Sequence, residues 1–431
     1  MHGSGGVDKV VRCGPHEKTW KQLTTGHLLF YRAAPVEERL IDGLSRAISH
    51  VPLYSGRLCI DGDVAEIVLN DAGVPVVTAV DNMTLATAIA LVNSDDCTLI
   101  DPIDSAAALV GEAPLLTVRL TYLADGAMAL GITFHHVVGD FSTAAAFLRT
   151  WSAFVDGVEP PPVDFATDRD VLLDAALPSA DGRRSSLLIA DLELIARAAA
   201  EAPPVCVDHI YFSPAEVRAM KEDYGRHILG VSTGDIVYAH LYGTLHQVSG
   251  GSVPERATWM ANVRRLLGIG HAVVGNFIEQ VAVECDPVGN PASFAAQINA
   301  ANNDHQQILL DMRADRDFLA LVDTPAGVMV LPDAWGKAKR AFFISNMTRF
   351  GVYDISFHGQ RPVLFLNVIR PPLAWFGHLI EGPEDGGYLF SITIPTDISA
   401  RLRGSEKAVL HRFRGSDDPL PGVLADSVRP L

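Results

Sequence analysis

Two imidazoles and a carboxylate stand closely spaced in His135-His136-Val137-Val138-Gly139-Asp140. An ordinary imidazole titrates near neutrality, so it can take a proton from a hydroxyl or amine and later release it. A base of that kind needs a rigid mount. The preceding run supplies one, because Met128, Leu130, Ile132, Phe134 and His136 alternate with Ala127, Ala129, Gly131, Thr133 and His135. Side chains two apart share a strand face, which puts His136 on the bulky row and His135 on the smaller one. Beyond Asp140, the positions Ala144, Phe147, Leu148, Trp151 and Phe154 recur at helical spacing. Asp140, Ser142 or Thr143 could cap that helix. The reading is a strand, a histidine, a tight turn and a capped helix, with His136 as general base and Asp140 as a structural or orienting group.

The chain has 431 residues, more than one ordinary core holds, so two domains or a large double domain are expected. Its composition, 48% hydrophobic and 20% charged, is globular. A formal net charge of −17 argues against a nucleic-acid or anionic-membrane partner, which a basic surface would serve. No apolar run reaches membrane-spanning length, and the N-terminus carries no signal-like apolar stretch. Cys13, Cys59, Cys97, Cys206 and Cys285 are scattered and odd in number, with no CxxC pair, so reduced thiols and a cytoplasmic location are expected. The histidines show no zinc-binding spacing, and no metal site is expected.

Residues 36–50 carry Leu40, Ile41, Leu44 and Ile48 on one helical face, and Pro52-Leu53-Tyr54-Ser55-Gly56-Arg57-Leu58 reads as a turn feeding a strand. Residues 115–123 and 127–136 read as a hairpin closed at Ala124-Asp125-Gly126. The Pro- and Asp-rich stretch 157–184 looks like surface chain. Residues 187–200 have helical spacing, and Ser232-Thr233-Gly234-Asp235 resembles a capping box opening a helix through His246. Residues 341–346, 362–369 and 388–394 are strand candidates. The coarse answer is two mixed α/β halves with a long crossover. The boundaries expected are 1–180 for the half carrying the histidines, 181–204 for the crossover and 205–431 for the second half.

The histidine run resembles the HHxxxD element of CoA-dependent acyltransferases. Residues 52–58 resemble the PLAGRL segment of plant and fungal BAHD acyltransferases, and Ser232-Thr233-Gly234-Asp235 resembles their STND helix start. Asn262-Val263-Arg264, Gly275-Asn276-Phe277, and Asn346-Met347-Thr348-Arg349-Phe350 with Val352-Tyr353-Asp354 resemble three further segments, in the family's order. One segment departs. Where the family's DFGWG should follow Tyr353-Asp354, this chain has Ser356-Phe357-His358-Gly359-Gln360, and the similar letters Asp333-Ala334-Trp335-Gly336-Lys337 fall too early. In the family that aspartate is held to pair with the arginine matched here by Arg264, a bond Ser356 cannot make.

The resemblance implies an α/β fold of two similar mixed-sheet domains of the chloramphenicol-acetyltransferase type. It further implies an acyl-CoA co-substrate, no bound cofactor, a small hydroxyl or amine acceptor and a monomer. Arg264, Arg265, Ser232, Thr348 and Arg349 are candidates for holding CoA. Ordinary ion pairs for the arginines, and a helix cap for Ser232, are equally consistent with the sequence. Two other readings stand beside it: a condensation-type HHxxxD enzyme, and a non-catalytic binding protein on an acyltransferase scaffold.

Overall fold

In the computed structural model, residues 9–425 are described, apart from 62–63, 227, 229, 285–289, 326, 333–340, 370–372, 417 and 419. The early Asp333–Lys337 segment and Cys285 lie outside the described residues. Cys13, Cys59, Cys97 and Cys206 are free thiols.

The larger of the two main sheets has six strands in the order Ile278–Glu284, Arg256–Asn262, Ala341–Asn346, Phe376–Glu381, Tyr388–Pro395 and Val205–Phe212. The other has five, in the order Leu364–Val368, Thr24–Tyr31, Met128–His135, Leu116–Tyr122 and Val76–Val80. Each has its own apolar cluster, one packed with helices Glu37–His50 and Phe141–Asp156, the other with Thr233–Ser249 and Pro291–Asn303. Both sheets mix parallel and antiparallel pairs, as Val76–Val80 runs parallel to Leu116–Tyr122 while the other pairs of that sheet are antiparallel.

Strand Met128–His135 is central and buried along its whole length, so both of its faces are core. It ends one residue earlier than the alternation suggests, and His136 opens a single 3₁₀ turn, His136–Val138. Helix Phe141–Asp156 follows, with Asp140 as its cap through Thr143 N–H. Its buried face includes Ala144, Phe147, Leu148 and Trp151. The Trp151 indole donates to Leu40 O at 2.9 Å, which locks this helix to Glu37–His50.

Three expectations need correction. The two halves do not part cleanly at residues 180 and 205. Strand Leu364–Val368 pairs antiparallel with Thr24–Tyr31 in the five-stranded sheet, and Val352 and Phe357 join that core, while Leu173 belongs to the other. The stretch 181–204 is not a plain crossover, since Leu187–Asp191 is a strand paired with Val328–Pro332, and only Leu192–Ala200 is helical. A short apolar run fits either period, and here a distant partner strand decides. Last, 157–184 is not all surface, because helix Arg169–Ala176 buries Arg169 and Leu173.

Candidate active site

Gly139 and Gly275 bring two distant segments together around the histidine turn. A Cβ on Gly139 would overlap the Thr143 side chain. Gly275 has φ +150°, and a Cβ there would approach the Phe277 ring within 2.8 Å. Only glycine lets both backbones come this close. Asp140 N–H then donates to Gly275 O at 3.2 Å, stitching the turn to residues 275–277.

That stitch puts Asn276 beside His136. The His136 ring Nδ1 lies 3.0 Å from Asn276 Oδ1, and Asn276 Nδ2 donates to His136 O at 2.8 Å. The second bond fixes the first, because a carbonyl only accepts, so the amide must turn its NH₂ to the backbone and its oxygen to the ring. Nδ1 therefore carries the imidazole proton, and the lone pair is on Nε2. No described residue bonds Nε2. Trp20 stacks on the ring, centroids 4.7 Å apart and planes 15° from parallel, which restrains its rotation. Burial is the main influence on the His136 pKa, lowering it, so the free base prevails at neutral pH.

Asp140 has both oxygens engaged elsewhere. Oδ1 accepts from Thr143 N–H at 3.2 Å, and Oδ2 accepts from Arg264 Nη1 at 2.7 Å and from Phe277 N–H at 3.1 Å. Arg264 is fully enclosed and also donates to Gly275 O and Val273 O. Its expected role at a CoA phosphate is thereby corrected, since no face of the guanidinium reaches solvent or a ligand. The altered DFGWG segment leaves no gap at Arg264 either, because Asp140 is its partner, while Ser356 Oγ bonds Asp156 at 2.7 Å.

His135 is not a second base. It is wholly buried, and its Nδ1 accepts the Val137 N–H that starts the turn. Arg169, which sequence reasoning passed over, donates to Val137 O at 2.7 Å and Val138 O at 2.8 Å, holding that turn from below. Trp20 was also missed, and Asn276 was noted only as part of a family segment. Neither carries a local signal, because each acts on a residue more than a hundred positions away or on another turn.

His136 faces a cavity of about 220 Å³ between the sheets, lined from one side by His27, His136 and Phe141 and from the other by Met260, Phe343 and His378. Asp140, already paired, is the only charged residue in its lining among the described residues. Of the remaining candidates, Ser232 caps helix Thr233–Ser249 in a reciprocal box with Asp235. Thr348 Oγ1 donates to Asn346 Oδ1 at 2.8 Å, and Arg349, at φ +68°, donates its N–H to Glu381. A Cβ on Gly234 would lie 3.5 Å from Asn346 Nδ2, so the start of helix Thr233–Ser249 and Thr348 both adjoin Asn346, itself a cavity residue. Arg265 is exposed, and no ion pair engages it among the described residues. Those residues include no group of His, Cys, Asp and Glu able to hold a metal, and no helix long and apolar enough to cross a membrane.

Residues 23–222 match the sequence model of the Transferase family. Agmatine hydroxycinnamoyltransferase 1 of Oryza sativa subsp. japonica is 36% identical over 148 residues. Over these residues the chain is similar to the BAHD-type acyltransferases. That alignment covers 33% of this chain and 32% of the rice protein, so the chain spans about a third of the length of the curated relative it matches. The fold extends much further. TRI101 of F. sporotrichioides, solved with coenzyme A and T-2, superposes with a TM-score of 0.73 at 15% identity over 92% of this chain and 98% of that one. The first condensation domain of the CDA synthetase superposes at 0.60 and 16% identity, over 97% of this chain and 98% of that one. Within this fold, the cavity beside His136 is the candidate active site.

Proposed function

We propose that this protein transfers an acyl group, acetyl by default, from acyl-CoA to a hydroxyl or amine of a small, fairly hydrophobic metabolite. The observation that carries the reading is His136, with Nδ1–H tied to Asn276 and a free Nε2 lone pair at the inter-sheet cavity. Nε2 removes the acceptor's proton as its oxygen or nitrogen attacks the thioester carbonyl. The tetrahedral intermediate then collapses, and the departing CoA thiolate recovers the proton from the imidazolium. No covalent enzyme intermediate is needed. Asp140 serves as helix cap and as the buried partner of Arg264, holding the turn in shape.

The lining favours a neutral acceptor. A cation such as the agmatine in the rice relative's name would call for a free carboxylate, and Asp140 is already paired. For the CoA side, Ser232, Thr348, Arg349 and Arg265 remain the candidates, with the helix N-terminus at Ser232 suited to an anion. We further propose a monomer acting in the cytoplasm, and gel filtration against chains of known length tests the first point. The condensation-type alternative shares the fold, but its donor would be a thioester on a carrier protein rather than on CoA.

Incubation with acetyl-CoA and a panel of alcohols and amines, followed by free-thiol detection, tests the reading. Thiol release that disappears in His136→Ala supports it. CoA binding without release for any acceptor favours a binding protein, and release from carrier-bound thioesters alone favours the condensation-type enzyme.

A further inference from the structure

The cavity contains a second imidazole that the transfer step leaves unused. His27, on strand Thr24–Tyr31, is 2% exposed, and its Nδ1 lies 2.7 Å from Asn367 Oδ1. Asn367 Nδ2 is directed at Met347 Sδ, 3.6 Å away, a sulfur that can only accept. The amide oxygen therefore faces the ring, Nδ1 is the donor, and Nε2 carries a lone pair with no partner among the described residues. This repeats the His136–Asn276 arrangement within one cavity.

His378 comes to the same cavity from the other sheet, on strand Phe376–Glu381. Its Nδ1 is buried without a partner, and no described residue bonds its Nε2. A neutral imidazole has one N–H, which is best placed on Nε2, the nitrogen a ligand can reach. Burial lowers the pKa of His27 to about 4 and that of His378 to about 3, so both rings are neutral at pH 7. One lone pair and one N–H facing the same cavity match a hydroxyl, which donates and accepts at the same oxygen. The surroundings are aromatic: Phe134, Phe141 and Phe365 pack around His27, and Phe376 around His378. Polar groups isolated in such a wall discriminate strongly, because an unmatched ligand leaves them unpaired.

We propose that His27 and His378 form a hydroxyl-recognition subsite, His27 Nε2 accepting from and His378 Nε2 donating to a second hydroxyl of the acceptor. The substrate class is a diol or hydroxyphenol whose apolar body separates the bound hydroxyl from the one acylated at His136. His136 N–H donates to Leu23 O, and His27 lies four residues further along the chain. Four extended residues span roughly 13 Å, the reach of a medium-length carbon chain.

The inference rests on the acyl-transfer reading, and its test separates the two. With acetyl-CoA as donor, α,ω-alkanediols from hexane to decane are compared with the matching 1-alkanols. For the wild-type protein the best diol is expected to exceed its alkanol about tenfold in kcat/KM, the worth of one good hydrogen bond to a buried group. In His27→Phe and in His378→Phe that ratio falls to near one, through KM of the diol, while His27→Gln, whose amide can still accept, keeps part of it. A wild-type ratio near one, or a ratio untouched by the variants, overturns the subsite. If no thiol is released by any alcohol, calorimetric binding decides: a diol preference abolished by His27→Phe upholds the subsite while acyl transfer fails. Binding without preference, or no binding, overturns it.

Discussion

Asn276 does for His136 what a carboxylate does in a Ser-His-Asp arrangement, without adding a charge. It fixes the tautomer, and burial, the largest influence, still lowers the ring pKa although the Asn276 bond and Asp140 oppose it. If His136 is the base proposed above, its working form is the free imidazole, so kcat/KM is expected to rise with pH through the His136 pKa and to level off below 6.5. Asn276→Asp puts an anion beside Nδ1 and favours the imidazolium, so the rising limb moves to higher pH. Asn276→Ala frees the tautomer and is expected to lower kcat about 100-fold, the lower end of what a placed base contributes. Thiol-release rates from pH 5 to 9 check both. A limb that does not move in Asn276→Asp would mean the amide is only scaffolding. His136 and Asp140 were legible from their spacing, but the tautomer was not, because its cause sits 140 residues away.

Helix Arg169–Ala176 illustrates why elements can hide. Its sequence, Arg169-Asp170-Val171-Leu172-Leu173-Asp174, reads as polar chain, yet Arg169 is 2% exposed and bound to two carbonyls of the histidine turn. Glu17 lies against the same guanidinium at 3.3 Å, its pKa raised by burial more than Arg169 lowers it. A charge this enclosed is stable only while its partners remain. Arg169→Leu strands the Val137 and Val138 carbonyls and is expected to cost roughly 3 kcal/mol in urea unfolding, with a fall in kcat as the turn loosens. An unchanged urea midpoint would contradict it. By contrast, the strand 128–135, the helix 141–156 and the capping box at Ser232 were readable, since each is specified by residues within a few positions.

At the scale of the molecule, the five-stranded sheet is completed by the late segment Leu364–Val368, which also brings Asn367 to His27. The first half thus lacks an edge strand of its own and would expose the backbone of Thr24–Tyr31. Residues 1–205 expressed alone are therefore expected not to unfold cooperatively, as judged by tryptophan fluorescence in urea. A single sharp transition would show that the crossing strand is dispensable. The same crossing explains why boundaries at 180 and 205 fail, since length and linker composition carry no record of a strand exchanged over more than three hundred residues.

Sequence alone determined the histidine–aspartate turn, the local helices and strands around it and the family likeness, because those depend on spacing within a few residues. Only the tertiary structure decided that Arg264 is spent on Asp140, that Asn276 and Trp20 set the ring of His136, and that His27 and His378 meet in one cavity. Such choices follow from burial and from partners far along the chain, where a charged or polar group must take whichever counterpart the fold delivers.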